Sequence, residues 1–97
     1  MNFKLLDTVN FDGEEVTEIE LNLEKLKASD IDEAEEICRK LKVNAPVIEL
    51  SKKYSVAVAH VATKLPIELF NSLSGRDYQR LHFAVSSFLN ASESEVV

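Results

Sequence analysis

The chain has 97 residues, of which 45 % are hydrophobic and 29 % charged, and 17 Asp and Glu against 11 Lys and Arg give a formal net charge of −6. A chain this long makes one domain that buries roughly 60–65 % of its unfolded surface, and with two Gly and two Pro its composition excludes disordered, collagenous and low-complexity classes. Acid is concentrated at the front: residues 1–40 hold twelve acids and five bases, residues 41–97 five acids and six bases, so a phosphate backbone would repel this chain.

Residues 3–11 and 14–23 flank Asp12-Gly13, a dipeptide that favours the two-residue turn of a β-hairpin. In the second strand Thr17, Ile19, Leu21 and Leu23 alternate with Glu18, Glu20 and Asn22, the pattern of a strand with one buried and one acidic face. The first strand fits less simply. Leu5 and Leu6 are adjacent, and a plain two-residue loop sets Leu5 opposite Glu20, so pattern alone does not fix the register. A lone hairpin is marginal in water, and its apolar face is expected to pack on helices or pair with another chain.

Ser29 is expected to cap a helix, with Asp32 three residues on and acids at 30, 33, 35 and 36 near its positive end. Ile31, Ala34, Cys38 and Leu41 form its predicted inner face; Lys40 and Lys42 suit its last turn, and Asn44 before Pro46 marks a break. The third segment, from about Ala45 to Lys64, is the most apolar. Val47, Leu50, Tyr54, Val58, Val61 and Leu65 make one stripe, which Ile48, Ala57, Ala59 and Ala62 widen, so this helix is expected at the centre.

Residues 65–89 read as helix, turn, helix. Pro66 suits a first helical position, with Leu69, Phe70 and Leu73 as a short apolar face. Ser74 and Gly75 break the pattern, and Ser74 with Asp77 resembles a capping box for a last helix that aligns Tyr78, Leu81, Val85, Phe88 and Leu89. The expected fold is therefore mainly α with a small N-terminal β-hairpin, an α+β arrangement of one hairpin and three to four packed helices. A single domain spans 1–97: hairpin and linker over 1–26, a helical part over 27–90 and a disordered tail over 91–97. No internal repeat is evident. No apolar run reaches the length of a membrane span and no signal-peptide pattern opens the chain, so neither membrane nor secretion is expected. The one cysteine, Cys38, suits a reducing compartment, which makes the cytoplasm the expected location.

Chemistry-bearing motifs are sparse. His60 and His82 are far apart in sequence, and HExxH, CxxC and EF-hand spacings are absent, so no metal or other cofactor is expected. Cys38 falls on an apolar helix face, where a free thiol behaves as a small hydrophobe. No Gly-rich phosphate loop or Ser/His/Asp arrangement suggests catalysis, and the chain is expected not to be an enzyme. Apolar surface remains to be explained. Phe83 lies roughly 140° around the last helix from Tyr78, among polar residues, and Val56 takes the equivalent place on the third helix. These two, with Tyr78 and Phe70, are the candidate partner-binding residues.

The hairpin around Phe11-Asp12-Gly13, the acidic segment opening at Ser29-Asp30, and the run Ala62-Thr63-Lys64-Leu65-Pro66 followed by Leu69, Leu73, Asp77, Leu81, Val85 and Phe88-Leu89 together resemble the small tail assembly chaperones of tailed bacteriophages, in the branch typified by Mu-like and P2-like phages. The resemblance runs through most of the chain and rests on packing and capping residues. It implies a protein that binds the tape measure protein during tail assembly, self-associates as a homo-oligomer, works in the host cytoplasm and needs no cofactor. Two other readings stand beside it. One is a helix-turn-helix DNA regulator over residues 67–89, with Arg76, Gln79 and Arg80 as its only base readers. The other is a structural component that stays in the virion tail.

The placement of the core generates a direct test. Val58→Asp would bury a charge without a partner, which costs several kcal/mol against a typical total of about 5–15 kcal/mol. The variant is expected to be unfolded at room temperature by circular dichroism, and a melt matching the parent would contradict this core.

Overall fold

The structure, a computed structural model, describes residues 1–90, with the last helix bounded at Val96. The tail expected to be disordered, residues 91–97, lies outside the described residues. An antiparallel hairpin of β1 (Asn2–Phe11) and β2 (Glu14–Glu20) is followed by α1 (Ala28–Lys40), α2 (Lys52–Thr63), α3 (Ile67–Asn71) and α4 (Gly75–Val96). This is the expected α+β class of one hairpin and four helices.

The hairpin turns where the sequence requires it. Asp12 and Gly13 both take positive φ, 55° and 82°, which a turn of the hand that matches strand twist demands at both central positions. Pairing runs regularly from Phe11 opposite Glu14 to Val9 opposite Val16, then resumes with Lys4 opposite Glu18 and Phe3 opposite Ile19. Between these stretches the segment 5–8 of β1 stands against Thr17 alone. This bulge resolves the register: it moves Phe3, instead of Leu5, into line with the buried end of β2, and Phe3 and Ile19 are both buried. It also shifts the inward alternation of β2, so Val16 is half-buried while Thr17, expected inside, is exposed. Leu21 and Leu23 keep the expected inward positions past the strand end.

α1 begins earlier than its sequence suggests. Lys27 occupies the N-cap position, and the Asp30 carboxylate accepts its backbone N–H at 2.9 Å, while Ser29 lies exposed in the first turn. A carboxylate at the third position satisfies one orphan donor and meets the positive helix end, so no Ser cap is needed. Ala34 and Cys38 are fully buried, but Leu41 is 54 % exposed. The helix closes with the Val43 N–H reaching the Cys38 carbonyl at 3.1 Å and the Lys42 N–H the Arg39 carbonyl at 3.0 Å. That paired closure places Lys42 at φ 56°, a left-handed position usually held by glycine.

α2 starts at Lys52, seven residues after the predicted Ala45. Pro46 pushes the residue before it towards extended backbone, and the true cap is Ser51, whose hydroxyl accepts the Tyr54 N–H at 3.1 Å. Val47 and Leu50 consequently fall outside the helix and are exposed. Within α2 every residue from Tyr54 to Ala59 is buried; the helix packs against α1, α3 and α4, the central place its composition predicts. Val56, expected to face outward, is only 3 % exposed, because a helix contacted by three others has no solvent face along this stretch. Pro66 stands just before α3 as its N-cap instead of inside it, and the Phe70 of that helix is fully buried. On α4 the inner line is Asp77, Leu81 and Val85; Leu89 packs on the core, whereas Phe88, expected beside it, is 42 % exposed.

Two lysines hold positions that strain an L side chain: Lys42 after α1, and Lys64 at φ 63° after α2. Each costs roughly 1 kcal/mol relative to glycine. Lys42→Gly and Lys64→Gly are each expected to leave stability unchanged or raise it by up to about 1 kcal/mol in denaturant titrations, where Gly at other exposed helix positions lowers it. A loss above about 1 kcal/mol would contradict the assigned backbone.

Candidate functional site

Four residues near the start of α4 build the surface on which Phe83 stands. The Ser74 hydroxyl lies 3.3 Å from the Asp77 N–H, and the Ser74 carbonyl accepts the Tyr78 N–H at 2.8 Å, so Ser74 caps α4 as expected. Asp77 does more than complete that cap. Its carboxylate is fully buried and accepts the backbone N–H of Leu6 at 3.0 Å and of Asp7 at 2.9 Å, both in the β1 bulge. Those N–H groups have no strand partner, and left unpaired inside the protein each would cost on the order of 1–3 kcal/mol. Arg80, one turn along, pairs with the same carboxylate and donates to the Lys4 carbonyl at 3.0 Å. Its guanidinium also sits 4.9 Å from the centre of the Phe3 ring, within cation–π range. Arg76 grips Asp7 through two parallel bonds of 2.7 and 2.8 Å.

Titration behaviour follows from these contacts. Burial pushes the Asp77 carboxyl upward, but the Leu6 and Asp7 N–H groups and Arg80 outweigh it and hold the group below the usual carboxylate range. Arg76, with help from Ser74, holds Asp7 well below that range, and Asp7 in turn raises Arg76. Burial, then the charges of Glu35 and Glu49, push the Cys38 thiol upward, so it stays a neutral core group with little thiolate at neutral pH.

Between the first residues of β1 and the outer side of α4 lies an open groove of 580 Å³, lined by Met1, Phe3, Lys4, Gln79, Arg80 and Phe83 among others. Phe83 is 73 % exposed at its edge, with half-exposed Met1 across the groove. A second groove, of 560 Å³, runs between the end of α1, the loop after it, α2 and α3, and its lining includes Val43, Val56, Ala57 and Ile67.

The four candidate partner residues are thus placed apart. Phe83 is on the surface; Tyr78 is half-buried beneath the Lys53 ammonium, 5.8 Å from its ring centre; Val56 and Phe70 are buried and cannot meet a partner from the surface of this structure. Val56, expected to face outward, is therefore corrected by the packing of α2 described above, and Phe70 is buried on the apolar face of α3 where its spacing put it. The DNA-reading trio is also reassigned. Arg76 is engaged with Asp7, and Arg80 with Asp77 and the Lys4 carbonyl, while Gln79 and Arg80 line the groove. His82 meets the Ser55 hydroxyl at 2.7 Å and His60 the Leu65 carbonyl at 2.6 Å, which uses one ring nitrogen of each inside the fold. Among the described residues no cluster of three or more His, Cys, Asp or Glu is placed to hold a metal, and no helix is long and apolar enough to cross a membrane.

Sequence reasoning missed the bridging carboxylate and the lining contributed by Met1 and Lys4. Two signals pointed there: the misfit of Leu5-Leu6 to a regular strand, and an acid flanked by arginines in Arg76-Asp77-x-x-Arg80.

A family model described as phage tail assembly chaperone proteins, E, or 41 or 14, matches residues 2–90. No curated protein and no solved structure matches the chain.

Removing the bridge is expected to be costly. Asp77→Ala leaves the part-buried Leu6 and Asp7 N–H groups without their acceptor and Arg80 without its ion partner, a loss on the order of 3 kcal/mol in denaturant titration. The pH dependence has a definite sign. Asp77 and Asp7 titrate lower folded than the ordinary Asp value of 3.8, so their stabilisation is complete above that value and is lost as pH falls below it towards the folded values. Melting temperature of the parent should therefore drop below about pH 4, and Asp77→Asn should be less stable at neutral pH with a shallower acid drop. Parallel acid profiles would assign the acid sensitivity elsewhere.

Proposed function

The chain belongs to the phage tail assembly chaperone family, and we propose that its role in tail assembly is to bind the tape measure protein and keep that long helical chain soluble until the tail tube replaces it. The protein acts without catalysis in the cytoplasm of the host and self-associates. One observation carries the choice of surface: Phe83, 73 % exposed, stands at the edge of a groove whose other wall is the hairpin. A large aromatic side chain held out to water beside an apolar channel suits helix-in-groove recognition, in which a partner helix lays its apolar face against such anchors. The wall is fixed before binding, because Asp77, Arg76 and Arg80 tie the hairpin to α4. Little ordering cost then remains for the groove itself.

The acidic residues serve solubility and orientation in this reading. Glu14, Glu15, Glu18 and Glu20 are exposed along β2, where charge discourages edge-to-edge association. Binding through Phe83 should persist when salt is raised beyond the screening of surface charges.

The test is co-expression with a tape measure segment, followed by fractionation of the soluble complex. Phe83→Ala is expected to lose most of the bound partner, as truncation of an interface anchor typically costs about 2 kcal/mol or more, while Glu18→Lys/Glu20→Lys retains it. Release by the charge reversals with no effect of Phe83→Ala would move the binding surface to the hairpin.

A further inference from the structure

The contacts that join the hairpin to α4 lie at two levels along β1. Asp77 and Arg76 hold Leu6 and Asp7, in the bulge, whereas the wall of the Phe83 groove is made by the first residues of the strand. Those residues are tied into the hairpin from the β2 side: the Met1 ammonium donates to the Leu21 carbonyl at 3.1 Å, and the Leu21 N–H returns to the Met1 carbonyl at 2.7 Å. Among the described residues one hydrogen bond joins α4 to residues 1–4, from Arg80 Nη1 to the Lys4 carbonyl at 3.0 Å. The same nitrogen donates to the Asp77 carboxylate, and the guanidinium carbon lies 4.9 Å from the centre of the Phe3 ring. Phe3 lines the groove yet is only 6 % exposed, so the guanidinium lies over a ring that would otherwise open into the groove.

We propose, on the reading that a partner helix docks beside Phe83, that Arg80 is the positioning residue of this groove: it sets the distance between Phe83 and the Met1–Lys4 wall, and with it the fit of the apolar side chains a partner inserts. A guanidinium donates within its plane and stacks through its face, so Arg80 can bond the Lys4 carbonyl, pair with Asp77 and cover Phe3 at once. An ammonium is a compact point charge; it can pair with Asp77 but has no face to lay on the ring. Arg80 stands three residues before Phe83, a spacing that puts both on one side of α4. Whatever holds its guanidinium to Lys4 and Phe3 therefore also fixes Phe83 relative to the strand. Walls held in this way need little ordering when a partner arrives. Loosening Arg80 leaves the Asp77 and Arg76 bonds at the bulge in place, so the position of the wall and the attachment of the hairpin can be perturbed separately.

Arg80→Lys in the full chain is the test. Met1 is the sole methionine and lines the groove, so an isotope-labelled methionine methyl gives one NMR signal from the wall itself. That signal is expected to move in Arg80→Lys without any partner present, while the melting temperature stays close to that of the parent, because Asp77 keeps a cation and both bulge N–H groups. Co-expressed with a tape measure segment, the variant is expected to retain about fivefold less partner, the effect of one lost hydrogen bond and one lost stack. Phe3→Leu removes the ring and leaves the Arg80 bonds to Asp77 and Lys4 available; it should lower retention as well, and it decides the matter if Arg80→Lys melts early. Parent-level retention by Arg80→Lys, or by Phe3→Leu in that case, alongside release by Phe83→Ala, would overturn the role of Arg80 and leave the groove standing. Lowered retention with an unmoved methyl signal would make Arg80 a direct contact of the partner, and so would also overturn a positioning role. Full retention by Phe83→Ala would instead remove the groove as the partner site, and the role of Arg80 with it.

Discussion

The buried carboxylate of Asp77 is the contact on which the arrangement of this protein depends. A two-stranded sheet has too little apolar area to stand alone, and here it also carries a bulge whose N–H groups have no strand partner. Asp77 answers both needs. It supplies acceptors for Leu6 and Asp7 and holds Arg80 against the Lys4 carbonyl, while Arg76 grips Asp7 directly, so the strand is fastened to α4 by contacts that a sliding hairpin could not keep. Burying a carboxylate is expensive unless it is both paired and hydrogen-bonded; Asp77 is both. The interaction is directional where apolar packing is not, so it sets the position of the hairpin as well as its attachment.

Much of the architecture was readable from residue order. The Asp12-Gly13 turn, the central α2 and the Ser74 cap each follow from local chemistry, a turn that needs positive φ, a segment apolar around its circumference, a hydroxyl ahead of a periodic run. The misreadings share a cause. Ser29 lost the cap of α1 to Lys27, and the start of α2 moved to Lys52, because several residues in each region could serve and tertiary packing chose among them. Val56 was placed outside by helical angle alone, which cannot count how many neighbours a central helix has. The candidate site was legible only in part. Phe83 declared itself as an aromatic among polar neighbours, whereas the wall opposite comes from residues about 80 positions earlier, Met1 to Lys4, and no local pattern links them.

The two grooves divide the molecule into contrasting surfaces. Beside the hairpin the groove wall holds Arg80 and Lys4, but the arginine is already engaged with Asp77 and the Lys4 carbonyl, so Phe83 dominates what a visitor meets. Across the helical body the trough beside α3 is lined in part by Lys42 and Lys53, and the Lys53 ammonium lies over the Tyr78 ring. One groove lies between the hairpin and α4, the other between the end of α1, the loop after it, α2 and α3. The second is walled by α2, which contributes its buried residues to the core shared by every helix.

The link between Leu6 and Asp77 spans 71 of the 97 residues, and this has a consequence for how the molecule is made. At translation speeds of roughly 5–20 residues per second, the strand is synthesised several seconds before the carboxylate that completes it. During that interval the bulge amides remain hydrated and the apolar face of the hairpin has no helix to rest on. The acidic side chains along β2 are exposed on that same hairpin, and like charge on a strand disfavours edge-to-edge pairing with another copy.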